Sequence, residues 1–235
     1  MLVLSDAVLV LECRGLGIHR NIRNFRVLED VLSSMGRGTP AQVASLLRKS
    51  SSALSAVHRT GLIHGNVKPS NLFLLPRNDG LDVRVVDFRT ARQNVSWKGF
   101  LSQSGMVGSP AYMAPEQMRG EPMDARSDLF ALATVGLEAL LGRPSREGQG
   151  LVQVFLDAMF RPPTRPSSVM QGVPREIDEA FMKALAKSPA DRPMDIANWV
   201  GSFAELLEKL PSQEPGWKLP PSQRASVWDI DVPSM

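Results

Sequence analysis

The residues of this sequence best suited to chemistry lie together in GLIHGNVKPSNLFLL, Gly61 to Leu75. The stretch has the cadence of an enzyme's catalytic loop, with an imidazole at His64, a cation at Lys68 and a carboxamide at Asn71. Where such a loop is expected to carry a proton-accepting aspartate stands Asn66, and an amide has no useful basicity near neutral pH. Other chemistries find no support. The single cysteine, Cys13, excludes an internal disulfide and a multi-cysteine zinc site, and the three histidines lack metal-ligand spacing. The sequence holds no Gly-x-x-x-x-Gly-Lys phosphate loop, no Gly-x-Ser-x-Gly elbow and no His-Glu-x-x-His helix.

A loop of this kind needs a folded frame, and 235 residues with 43% hydrophobic content can bury one. The net charge of +3 is small and its basic residues are dispersed, which argues against nucleic-acid binding. No apolar run reaches the length of a membrane span. The opening MLVLSDAVLVLEC lacks a basic leader and is broken by Asp6, so it reads as a buried strand, centred on 7–12, rather than a signal peptide. The expected location is cytoplasmic.

The segment CRGLGIHRNIRNFR reads as a loop, and VLEDVLSSMG as a short helix ended by Gly36. Thr39-Pro40 then opens a longer helix that Gly61 closes. NLFLL and DVRVVDF are two short strands around PRNDG, a hairpin. The stretch from Arg89 to Pro115 is rich in Ser and Gly and reads as an exposed loop. DLFALATVGLEALLG is apolar around its whole circumference and belongs in the middle of a domain. GLVQVFLDAMF, EIDEAFMKALAKS and DIANWVGSFAELLEKL are further amphipathic helices. Residues 1–209 thus read as one mainly α (α+β) domain with a small hairpin. Residues 210–235, with five prolines and four serines, read as a flexible tail. That tail holds an imperfect duplication, LPSQEPGW and LPPSQRASVW. Trp217 and Trp228 are either partner anchors or covers for an apolar patch on their own domain.

From about Ala7 to Lys209 the sequence resembles the C-terminal lobe of Hanks-type, bacterial-like serine/threonine protein kinases. His64-Gly65-Asn66-Val67-Lys68-Pro69-Ser70-Asn71 stands where the family has His-Arg-Asp-x-Lys-x-x-Asn, and Asp87-Phe88-Arg89 where it has Asp-Phe-Gly. Ala114-Pro115-Glu116 is intact, and GSPAYMAPEQ, RSDLFALATVGLEALLGRP and ALAKSPADRP follow in family order. The resemblance implies ATP and Mg2+ as cofactors. It implies Asn71 and Asp87 as metal ligands and Lys68 beside the transferring phosphoryl group. Glu12 and Arg14 would lie at the nucleotide hinge, and Phe73 on the site's floor. It further implies that Glu116 pairs with Arg192, that Asp128 accepts from the loop backbone, and that His64 packs on Phe88.

The departures from the pattern matter as much. Asn66 occupies the general-base position, which loses help worth about 10²–10⁴-fold. Gly65 replaces the arginine that would read a phosphorylated activation segment, and Arg89 replaces a permissive glycine. No lysine precedes Lys49, and Gly15-x-Gly17 is a decoy for a phosphate flap. The expectation is therefore a C-lobe whose N-lobe is largely absent, leaving the 7–12 strand without a sheet. Three arrangements would resolve this: the strand and tail cover the face, a protein partner completes it, or the start codon is misassigned. The leading functional expectation is a pseudokinase, a binding or regulatory module with little or no phosphotransfer. The alternative is a serine/threonine kinase of low activity, or one completed by an N-lobe supplied from elsewhere.

Overall fold

The computed structural model describes residues 2–4, 7–9, 25–77, 80–87, 110–144, 151–212 and 216–219. Two short strands come first, β1 (Leu2–Leu4) and β2 (Ala7–Leu9), paired antiparallel with Val3 opposite Val8. The apolar opening is thus two strands, where the sequence suggested one over 7–12. A short apolar run suits one strand or two, and β2 finds its ladder partner in β1.

A second sheet lies at the loop. β3 (Arg26–Val27), β4 (Leu72–Arg77) and β5 (Gly80–Val85) run in that order, all antiparallel, with Val27 opposite Phe73 and Leu72 opposite Val85. The hairpin expected from NLFLL and DVRVVDF is β4 and β5. β3 adds an outer strand that two residues could not announce in the sequence.

The rest is helical: α1 (Leu28–Met35), α2 (Pro40–His58), α3 (Pro115–Arg119), α4 (Ala125–Leu141), α5 (Leu151–Phe160), α6 (Arg175–Ala184) and α7 (Ile196–Glu208). The start of α2 is set by a full capping box. Thr39 Oγ1 accepts from the Gln42 N–H at 3.2 Å, and Gln42 Oε1 accepts from the Thr39 N–H at 3.0 Å. α4 is the central post, buried at every residue from Ser127 to Leu141. α2, α6 and α7 pack around it, with Leu46, Leu47, Leu54, Phe181 and Phe203 fully buried. The Phe181 and Phe203 rings meet edge to face at 4.7 Å. The loop at 61–71 leaves α2, crosses the N-terminal end of α4 and enters β4, so two rigid elements fix its ends.

Candidate active site

Asp128 sits in the first turn of α4, 1% exposed, and organises the loop above it. One carboxylate oxygen, Oδ1, accepts from the Gly65 N–H at 2.8 Å. The other accepts from the His64 N–H at 2.9 Å and from His58 Nε2 at 2.8 Å. The contacts to the 64–65 backbone are those implied for Asp128. His58, which the sequence marked only as a helix residue, is the third donor, and nothing in its spacing on α2 disclosed that. Gln117 adds a further tie, donating from Nε2 to the Gly65 carbonyl while its Oε1 caps α3 through the Ala114 N–H.

His64 is completely buried, and burial pushes its imidazole below the ordinary histidine range against the opposing pull of Asp128. Its Nδ1 accepts from the Asn66 N–H at 3.1 Å, which leaves Nε2 to donate to the Val86 carbonyl at 3.1 Å. Val86 in turn donates its N–H to the Asn71 carbonyl at 3.0 Å. These bonds lash the end of β5 to the loop and bring Asp87 beside Asn66 and Asn71. His64 is a spacer with both nitrogens engaged, so it is no acid or base. Asp87 has φ 62, the only non-glycine residue at positive φ among those described, in the left-handed region that aspartate tolerates.

Three of the positions the resemblance picks out meet at Asp87. Asn66 Nδ2 donates to Asp87 Oδ2 at 2.6 Å, and Asn71 Nδ2 approaches the same oxygen at 3.3 Å. Asn71 Nδ2 also donates to the Asn66 carbonyl at 2.8 Å. With its nitrogen so committed, Asn71 has its Oδ1 as lone-pair donor, and Asp87 its Oδ1, neither bonded to another described residue. A side-chain amide oxygen and a carboxylate oxygen are the hard donors Mg2+ takes, so this pair fits the cation the resemblance implies. Lys68 is half-buried in the wall of a small cleft beside Asn66, across from Tyr112 and Met113. Phe73, 6% exposed, lies in the three-stranded sheet opposite Val27. Glu12 and Arg14 lie outside the described residues, as do Phe88, Arg89 and Trp228.

Below the cleft, α3 is bolted to the helical base. Glu116 and Arg192, 1% and 3% exposed, form a two-pronged pair at 2.7 and 2.8 Å. The remaining guanidinium hydrogens go to the carbonyls of Ala186, Lys187 and Arg126. Glu116 Oε1 also accepts from Ser127 Oγ, and the Phe130 ring lies 4.7 Å from the guanidinium. The pairing of Glu116 with Arg192 agrees with the resemblance. Missed in the sequence was Tyr112, whose hydroxyl donates to Glu138 Oε2 at 2.6 Å. Burial raises both pKa values; for Glu138 the charge of Glu29 adds to that, against the Tyr112 bond. An acid deep in the apolar run that follows Asp128 was the available signal.

Comparison with known proteins shows the family and the fold. Residues 7–202 match the family model described as protein kinase domain. The chain is 38% identical over 164 residues to the serine/threonine-protein kinase Pkn1 of Myxococcus xanthus, covering 68% of this chain and 24% of that protein. It is 31% identical over 189 residues to the serine/threonine-protein kinase PknB of Mycobacterium tuberculosis, covering 80% and 30%. The chain therefore spans only 24% and 30% of the length of these relatives. In backbone shape it is similar to the crystal structure of the Mycobacterium tuberculosis PknI kinase domain, with a TM-score of 0.59 at 23% identity, covering 78% of this chain and 63% of that one. Among the described residues no helix is long and apolar enough to cross a membrane.

Proposed function

Because this chain belongs to the protein kinase domain family, and because its general-base position is an amide, we propose that it is a pseudokinase: a kinase fold kept for binding or regulation, with little or no phosphotransfer. One observation carries the reading. Asn66, where a carboxylate would receive the substrate hydroxyl's proton, instead donates a hydrogen to Asp87 at 2.6 Å. The group is turned from acceptor to donor, and its partner is the carboxylate expected to hold the metal. A general base contributes about 10²–10⁴-fold, so its loss alone takes transfer far below a working rate. ATP and Mg2+ are ligands of this reading only through Asn71 and Asp87, whose oxygens suit the cation; when bound, Mg2+ would neutralise phosphate charge.

The second reading is a serine/threonine kinase of low activity, favoured by the names of the relatives and by the arrangement of Asn71, Asp87 and Lys68. Mass measurement of the intact chain after incubation with ATP, Mg2+ and a serine/threonine-rich protein separates the two. The pseudokinase reading expects no phosphate on either protein. Phosphate that appears, and disappears in Asp87→Ala, would overturn it in favour of the kinase.

A further inference from the structure

The composition beyond α7 suggests a flexible tail, yet Gly216–Leu219 lies against the domain, and Trp217 is only 4% exposed. Its neighbours are different: Pro211, Ser212 and Lys218 are exposed, and Gly216 and Leu219 half-buried. Trp217 anchors the segment, Leu219 packs against the same core and Lys218 between them is exposed, the alternation of an extended peptide laid on a surface.

The receiving surface is the turn between α1 and α2. The indole Nε1 donates to the Gly36 carbonyl at 3.0 Å, at the end of α1. The Gln42 carboxamide reads both backbone groups of Trp217, Oε1 accepting its N–H at 2.9 Å and Nε2 donating to its carbonyl at 2.9 Å. Gln42 Oε1 already serves the Thr39 N–H in the capping box, so one side chain both starts α2 and grips the peptide. Every polar group of Trp217 therefore finds a partner.

Shape is as selective as bonding. A Cβ on Gly38 would stand 2.8 Å from the indole, so the floor of the notch admits the ring only because residue 38 has no side chain. Gly216 has φ +64, and a Cβ there would run into Gln42 Oε1 and Thr39 Cγ2. The residue before the tryptophan must then be glycine. The tail's near-duplicate segment offers Val227-Trp228, and a β-branched residue fails on both backbone and space.

We propose that the α1–α2 turn is a peptide-recognition notch specific for a Gly-Trp dipeptide, occupied in cis by Gly216–Trp217 and able to exchange that occupant. Occupied, it fastens the stretch after α7 to α1, and α1 follows directly on β3, which pairs with β4 at Phe73. Release of the dipeptide frees the tail and opens the notch together.

The test uses the full chain and a fluorescent peptide of residues 214–222, Glu-Pro-Gly-Trp-Lys-Leu-Pro-Pro-Ser. Cis occupancy leaves few notches open in the parent, so Trp217→Ala is expected to bind the peptide at least about tenfold tighter. The same peptide carrying Gly216→Val is expected to bind neither chain. Equal binding to parent and variant, or none to a Trp217→Ala chain that melts cooperatively, overturns the proposal and leaves Trp217 a core side chain. Should Trp217→Ala not fold, Gln42→Glu decides. Glutamate keeps the capping acceptor but loses the donor to the Trp217 carbonyl. Hydrogen exchange over 216–219 is then expected to quicken about tenfold or more while α2 stays protected; unchanged exchange over 216–219 overturns the proposal.

Discussion

Two polar clusters lie within one loop's reach of each other, and they are built differently. At the base, Glu116, Arg192 and Asp128 are buried charges whose donors and acceptors are paired throughout. At the loop's other end, the Asn66 amide donates to the half-buried Asp87 carboxylate. The difference follows from what each cluster costs when altered. Removing one partner of a buried pair strands a charge, so the base resists change. Asp87 is only half-buried, so altering its amide partner strands less charge away from water. Substitution at the base therefore costs the fold more than substitution at the Asn66–Asp87 contact, and the variants run from the largest expected effect to the smallest.

Arg192→Ala should be the most damaging. It leaves Glu116 1% exposed without its cation, and the expected loss is about 3–5 kcal/mol by denaturant unfolding. A loss under about 1 kcal/mol would mean that the base is no stiffer than the reacting end. Asp128→Ala removes the acceptor for the His64 and Gly65 N–H groups and for His58. With about 1–3 kcal/mol for each group left unpaired, and some rescue by water, roughly 3 kcal/mol should go. Hydrogen exchange at Gly65 would quicken in step.

Tyr112→Phe presses on the seam between the clusters. Losing the bond to Glu138 should cost about 1–2 kcal/mol, and the penalty should grow with pH. Burial holds the Glu138 pKa above its ordinary range, so the folded chain keeps that proton more tightly than the unfolded one. Stability from this group is full below the ordinary glutamate range and falls as pH climbs through the raised folded value. The tyrosine hydroxyl pulls that value down, so deleting it carries the decline to higher pH. Unfolding midpoints at mildly acidic and mildly alkaline pH check the sign; a pH-independent penalty would contradict it.

What the sequence disclosed follows the same division. Glu116, Arg192, Asp128, Asn71 and Asp87 could be read because each belongs to a local pattern with fixed spacing. The post α4 was legible because a helix apolar on all sides has nowhere to go but inside. Hidden from it were pairs whose partners meet only through packing: His58 with Asp128 across 70 positions, Tyr112 with Glu138 across 26, Gln42 with Trp217 across 175. Asn66 was seen as a missing base. Its new role as donor to Asp87 needed the left-handed turn at Asp87, which no pattern of side chains encodes.

That role is tested most directly by restoring the carboxylate. Asn66→Asp takes the donor from Asp87 and sets a like charge against it. Unfolding measured in chelator, with no divalent cation present, should show the variant less stable than the parent by about 1–2 kcal/mol. A variant as stable as the parent, or more so, would contradict the claim that position 66 now serves the frame.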